Sequence, residues 1–335
     1  MGFLYEKGLV ERTLIRMRIG FDCSVLTHPH PAGVARVARE TLAALERRGV
    51  LDVVRLAPPA DAPLRRWRQL QLPGLARGLG GLHSFVSAFP LLAKVPIVAT
   101  IHELPWRFGE RENSDLRHRF WALAGPLRAA SIIVPSATTR AGLAFAGKRV
   151  RHVPWGVASC FGEDPRIMRE LRVLVPGGTR PKKRADALLP ALAKLGGWTL
   201  AVSGPQTGWS EALRAQAQRQ KVALEMLGEL SDEALAIEYR RASAVALLAR
   251  SEGFGLPVLE ALASGTHVLV TPRSAQAEVS GELGLRIVPQ DLPAVCAALT
   301  RCAGERQSAG PAHAAQFTWE HTAQRIEAIW QEQAR

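Results

Sequence analysis

The run Ser251-Glu-Gly-Phe-Gly-Leu-Pro-Val-Leu-Glu260 holds two carboxylates eight positions apart around a pair of glycines. Gly253 and Gly255 let the backbone pass close to a ligand, Pro257 suits a first helical turn, and the free N–H groups of that turn make an anion site. Glu252 precedes the helix and Glu260 lies within it, so one carboxylate meets a ligand's near end and the other a part further back. Three further stretches carry groups able to do chemistry. Lys182, Lys183 and Arg184 follow a Gly-Gly loop and would, alone, read as a solvated charge run. His102 stands at a strand end, a place where a histidine is more often hydrogen-bonded than reactive. His28-Pro29-His30 forms a loop with no third ligand nearby, which excludes a metal site there.

The elements that must position these groups alternate along the chain. Met17 to Asp22 reads as a buried strand, 27–33 as a turn-rich glycine loop, and Val34 to Arg48 as a helix. Short apolar strands follow at 53–56, 82–86, 96–101 and 131–135, with helices expected near 114–129 and 136–146. After a Pro- and Gly-punctuated linker at 153–158 the alternation restarts: strands at 172–175, 198–202, 223–227, 244–248, 267–270 and 285–288, a helix at 184–195, and a last helix from Trp319. Such alternation predicts parallel sheets covered on both faces, hence an α/β protein with two doubly wound domains and a boundary near 154–168. The expected units are 17–155, 165–315, and a terminal helix at 316–335 crossing back to the first domain. Residues 1–16 lack the apolar core and cleavage site of an export signal and carry no part of the reading.

The Glu-x7-Glu segment with its continuation Ala-Leu-Ala-Ser-Gly-Thr-His-Val resembles the signature of retaining family 4 glycosyltransferases of GT-B fold (glycosyl transferases group 1), in which two Rossmann-like domains face a central cleft. Thr100-Ile-His-Glu-Leu104 resembles the family's strand-end histidine, Gly33-Val-Ala-Arg36 its first glycine loop, and Val134-Pro-Ser136 its late N-domain strand. Val153-Pro-Trp-Gly-Val157 resembles the usual Pro-Asn-Gly linker, with Trp155 in place of Asn. Gly177 to Lys183 resembles the phosphate loop, with glycine at 177 where many relatives carry arginine, and Ala277-Glu-Val279 resembles a later Pro-Glu-Val segment. The match runs in order over about 17–330.

The resemblance implies a transfer of sugar from a nucleotide diphosphate sugar, UDP- or GDP-linked, to a glycan or lipid-linked glycan acceptor. By the same resemblance Glu252 binds hydroxyls of the donor sugar, and the backbone of Gly253, Phe254, Gly255, Leu256, Pro257 and Val258 its sugar and phosphates. Glu260 holds the ribose hydroxyls, and Lys183, with Arg180 as a substitute for the missing arginine, neutralises the departing diphosphate. His102 lines the cleft at the reacting centre, Gly33 approaches the diphosphate from the opposite domain, and the base lies along the loop containing Leu230. His102, Glu252 and Lys183 are thus the catalytic candidates. No Asp-x-Asp pair occurs in the sequence, so no metal or other cofactor is expected.

Composition bounds the alternatives. The 335 residues suit two domains, and no apolar stretch reaches the roughly 18 residues of a membrane span. Four scattered cysteines indicate neither a disulfide framework nor a zinc site and point to the cytoplasm. The net charge of +13 sits almost wholly in residues 1–155, where 23 basic face 11 acidic side chains. That front half meets anions, by this reading the acceptor and the inner face of an anionic membrane. Leu64-Arg-Arg-Trp-Arg-Gln-Leu-Gln-Leu72 and the following Pro73 to Leu79 are candidates for the membrane contact, or equally a helix with its leucines in the core. The rival readings are a sugar-nucleotide epimerase of the same architecture and a basic nucleic-acid-binding protein; no recognition helix or RNA-binding signature favours the latter.

Overall fold

The computed structural model describes residues 16–27, 33–108 and 116–334. Twelve strands form two parallel sheets of six. The first is built from β1 (Arg18–Asp22), β2 (Asp52–Leu56), β3 (Gly81–Ser84), β4 (Ile97–Thr100), β5 (Ser131–Val134) and β6 (Val150–His152), in the order β2-β1-β3-β4-β5-β6. The second contains β7 (Glu170–Pro176), β8 (Thr199–Ser203), β9 (Ala223–Gly228), β10 (Ala242–Leu247), β11 (His267–Val270) and β12 (Gly284–Arg286), in the order β12-β11-β10-β7-β8-β9. Strands β4, β5, β10 and β11 are buried at every position, as sheets covered on both faces require.

The first sheet carries α1 (Gly33–Arg48), the helical run of α2 (Leu64–Arg66), a π-turn at Trp67–Gln71 and α3 (Leu72–Leu75), then α4 (Leu116–Arg128) and α5 (Ala137–Gly142). The second carries α6 (Leu189–Leu195), α7 (Ser210–Arg219), α8 (Asp232–Arg241), α9 (Leu256–Ala263), α10 (Ala275–Ser280), α11 (Leu292–Cys302) and α12 (Gly310–Ala314). Side-chain oxygens of Ser136, Ser231, Ser274 and Asp291 accept from backbone N–H groups three residues on and so start α5, α8, α10 and α11.

The last helix, α13 (Trp319–Gln333), returns to the first sheet and packs on α1. Gly81 makes this possible: a Cβ there would lie 2.2 Å from the Trp330 ring. Gly156 in the linker likewise passes the start of α13, where a Cβ would lie 2.3 Å from the Trp319 nitrogen. Thr322 Oγ1 donates to Pro154 O at 2.8 Å, and Arg48 pairs with the buried Glu327 at 2.8 Å.

Several expected elements differ in extent. The helix expected over 184–195 begins only at Leu189, because Arg184 takes a left-handed conformation (φ 57°) between two 3-10 turns. The helix expected over 136–146 ends at Gly142 and continues as a 3-10 segment kinked at Gly147 (φ 57°). In the 64–79 run Trp67 and Leu72 lie in the core while Leu70 and Leu75 are exposed. Arg68 fixes this run to β1 through buried Asp22, at 3.2 Å, and Ser24.

Candidate active site

The order of the second sheet reverses between β7 and β10: β8 and β9 lie to one side, β11 and β12 to the other. In open parallel sheets the crevice at such a reversal, beyond the C-terminal strand ends, is where ligands bind. The two glycine-containing loops of the sequence leave β7 and β10 at this point.

After β7, Gly177 (φ 97°) and Gly178 (φ 84°) turn the chain back on itself. A Cβ on Gly177 would lie 2.8 Å from Lys183 Cε, and one on Gly178 would lie 2.4 Å from Pro205 O, so only glycine leaves space for Lys183 to cross the loop. Lys182 and Lys183 are not a solvated run. Lys183 Nζ donates to Glu252 Oε1 at 2.6 Å, and Lys182 Nζ sits 3.7 Å from Glu103 Oε1 of the first domain, both lysines being largely buried. Burial acts to raise the Glu252 pKa, but Lys183, Lys182 and Arg180 more than reverse this and hold the carboxyl below its ordinary range. Arg180 also donates from Nε to Gly177 O at 3.3 Å.

After β10, Gly255 (φ 99°) ends the loop and α9 follows with Pro257 in its first turn. Val258 to Ala263 are all buried, Glu260 among them at 3% exposure. A carboxylate in such a helix must be paired to be tolerated. Tyr239 OH donates to Glu260 Oε2 at 2.8 Å, and Arg36 of α1 donates to Glu260 Oε1 and to Asp232. The Arg36 guanidinium also lies 5.5 Å from the centre of the Phe161 ring. Burial pushes the Glu260 pKa above the ordinary carboxylate range in spite of Arg36 and Tyr239.

The two domains meet at Gly253. A Cβ there would lie 1.7 Å from His102 O, so the loop after β10 touches the backbone just past β4. Ser136 Oγ donates to Gly253 O at 2.7 Å, and Thr139 Oγ1 to the same oxygen at 3.3 Å. Nearby, Glu278 of α10 accepts from Ala137 N at 2.7 Å and Thr138 N at 3.0 Å, capping α5 from the opposite domain. His102 Nε2 lies 2.8 Å from Phe85 O, which can only accept; Nε2 therefore carries the proton, and with burial pushing the imidazole pKa down, Nδ1 is left bare at neutral pH. The His102 ring borders a cavity of about 370 Å³ in the first domain, lined also by Val34, Arg65, Glu103, Trp106 and Trp121.

The structure thus brings Lys183, Arg180, Glu252 and Gly253 to one crevice, with the backbone of His102 against Gly253 and its ring turned to Phe85 O and the first-domain cavity. Gly33 opens α1 with open space around it. Leu230, half-buried, sits between β9 and the Ser231 cap of α8, and Phe254 packs inward against Phe317. The His28–His30 loop and residues 1–15 lie outside the described residues. Arg36 and Tyr239 on Glu260, Asp232 on Arg36, Ser136 and Thr139 on Gly253, and the Trp106–Trp121 cavity carried no expectation of these contacts; Arg36 and Ser136 stood in quoted motifs, as the ends of the first glycine loop and of the late N-domain strand.

Comparison with known proteins bears on the fold and the family likeness. Residues 163–291 match the family model of glycosyl transferases group 1. Over 181 residues the chain is 36% identical to the D-inositol 3-phosphate glycosyltransferase of Segniliparus rotundus, covering 49% of this chain and 39% of that protein. Over 138 residues it is 33% identical to the O-antigen chain mannosyltransferase B of Escherichia coli, covering 39% of this chain and 32% of that protein. The chain thus spans well under half the length of these curated relatives. The Anabaena protein HepE, solved with UDP and glucose, superposes with a TM-score of 0.75 at 16% identity, covering 95% of this chain and all of HepE, a likeness of fold. Residues 163–291 thus resemble the glycosyl transferases group 1, and the chain as a whole has the GT-B fold.

Proposed function

We propose that the protein transfers a hexose from a UDP- or GDP-sugar to a glycan or lipid-linked glycan acceptor, with retention and without a metal ion, in the assembly of a bacterial cell-surface polysaccharide or lipopolysaccharide. The observation that carries this reading is the Lys183–Glu252 pair at the reversal point of the second sheet, next to the contact of Gly253 with the His102 backbone. The mannosyltransferase named in Escherichia coli and the UDP and glucose held by HepE support the choice of donor class.

In this mechanism the donor's diphosphate lies over the backbone N–H groups that open α9, with Lys183 and Arg180 beside it. Their charge counts most as the glycosidic bond breaks and the diphosphate gains negative charge. Glu252 orients the sugar hydroxyls, and Lys183 keeps it ionised. The ribose takes Glu260 from Arg36, which retains Asp232. The acceptor enters by the first-domain cavity beside His102. It attacks from the face the diphosphate leaves, and the departing phosphate oxygen accepts its proton.

The reading is tested by incubating the protein with UDP- and GDP-hexoses in EDTA, with and without extracted cell-surface glycan. The expected result is acceptor-dependent release of nucleoside diphosphate and an axial linkage from an axial donor, read by proton NMR. An epimerised nucleotide sugar formed without acceptor, or release only on adding a divalent cation, overturns it.

A further inference from the structure

Helix α4 is apolar on two opposite faces. Ala122, Gly125 and Pro126 point into the first domain, and Gly125 approaches closely enough that a Cβ would lie 3.1 Å from the Phe89 ring. On the other side Leu116 (82% exposed), Phe120 (53%), Leu123 (47%) and Leu127 (74%) face solvent. Their spacing of four, three and four residues places all four within an arc of about 60° on a helix of 3.6 residues per turn. Single exposed apolar residues need no explanation, but a continuous stripe marks a contact surface. Leu92 (74% exposed) extends it, because Arg128 at the end of α4 donates to Ala93 O at 2.5 Å and holds that segment alongside.

The surroundings of the stripe are cationic. The sequence of α4 contains three arginines and no carboxylate. Lys94 follows Leu92 by two residues and is exposed, exposed Arg65 lines the neighbouring cavity, and Arg66 beside it is exposed; none of these three has an ion-pair partner among the described residues. An apolar stripe with a basic border is the pattern of a helix lying in the head-group region of an anionic bilayer. No helix among the described residues is long and apolar enough to cross a membrane, so the contact is one of surface attachment.

We propose that the outer face of α4, with Leu92, docks the protein on an anionic lipid bilayer. The 64–79 run contributes only at the margin, since Trp67 and Leu72 are spent on the core. Trp121 and Ala122 line the cavity beside His102, while their neighbours Phe120 and Leu123 face outward. A bilayer on this face therefore presents lipid-borne head groups to the cavity mouth. This last step rests on the reading of the cavity as the acceptor entrance; the docking itself does not.

The test is co-sedimentation of the full chain with vesicles of phosphatidylethanolamine and phosphatidylglycerol, against phosphatidylcholine alone. The wild type is expected to pellet with the anionic vesicles, to be released by salt, and to stay in solution with phosphatidylcholine. The double variant Leu123→Glu/Leu127→Glu is expected to lose at least about tenfold in partitioning. Far-UV circular dichroism and thermal unfolding show whether the variant is folded, and the milder Leu123→Ser serves if it is not. Failure of the wild type to pellet, or unchanged pelleting of a folded variant, overturns the proposal. So does a dimer in analytical ultracentrifugation that the same substitutions dissolve, which assigns the face to a second copy. Loss of nucleotide binding by the wild type overturns the proposed transferase reading and leaves the docking result intact.

Discussion

Lys183 holds the Glu252 carboxylate ionised, and in the proposed reaction the same lysine meets the charge that develops on the leaving diphosphate. Lys183→Ala is expected to lower kcat by about 10²- to 10³-fold, the cost of losing one group that stabilises a developing anion. It also moves the acid limb of the pH profile. Glu252 titrates below the ordinary carboxylate range because Lys183, Lys182 and Arg180 outweigh burial. A depressed carboxyl contributes stability that is present above its unfolded pKa and lost as pH falls through its folded one. Without Lys183 the Glu252 pKa rises, so activity falls away at a higher pH than in the wild type; an unmoved acid limb separates the two residues. Glu260→Gln is expected to raise the donor KM about ten- to a hundredfold with kcat little changed, since a hydroxyl contact to ribose is made equally in ground and transition states. Much of this site was legible because it is local: Glu252, Gly253, Gly255, Pro257 and Glu260 fall in one short run. The partners of Glu260 were not legible, since Arg36 lies 224 residues away and only the fold joins them. Nor could any pattern of residues announce that Phe85 O, a backbone acceptor, occupies His102 Nε2.

At the scale of elements, the loops decide more than the helices and strands they connect. Most strands were legible as short apolar runs, the central ones because they are buried on both faces; the half-exposed edge strand β6, Val150-Arg-His152, carried no such run and no expectation. Helix starts were less so: the apolar period over 184–195 continues unbroken through Arg184, whose left-handed backbone delays α6 to Leu189 and frees Lys182 and Lys183 to turn inward. The amphipathic period of α4 predicted a helix correctly but could not tell which of two apolar faces would be buried. The loop after β10 gives the sharpest prediction of this scale. Gly253→Ala places a methyl where His102 O stands, 1.7 Å away, and that backbone oxygen has little freedom to retreat. The variant is expected to bind UDP or GDP as the wild type does, while kcat/KM falls by about 10²-fold, the effect of displacing the reacting groups by about an ångström. Isothermal titration and steady-state kinetics on the same preparation separate the two effects.

For the whole molecule, polar groups join the domains beside an apolar cluster that runs through both: Arg36 on Glu260 and Asp232, Lys182 near Glu103, Ser136 on Gly253, and Glu278 on α5. If these polar contacts release, α13, which begins beside the linker and packs on the first domain, is the element about which the domains would turn. Glu278→Ala removes the carboxylate that caps α5 across the contact, at an exposed position where folding of either domain is little affected. It is expected to increase the radius of gyration in small-angle X-ray scattering and to lower kcat by about tenfold, with donor binding retained. Arg36 adds a second constraint: in the proposed complex the nucleotide competes with Arg36 for Glu260, which would link binding and domain contact through one carboxylate.

The account rests on a nucleoside diphosphate seated between Lys183 and Glu260, and thermal unfolding in EDTA with UDP, GDP, ADP and CMP tests it most directly. A ligand that binds only the folded chain, at about 100 times its dissociation constant, adds roughly 2.7 kcal/mol. UDP or GDP is expected to raise the unfolding temperature by several degrees without metal, and Lys183→Ala and Glu260→Gln are each expected to reduce the shift. No shift with any of the four, or a shift that both substitutions leave intact, contradicts it.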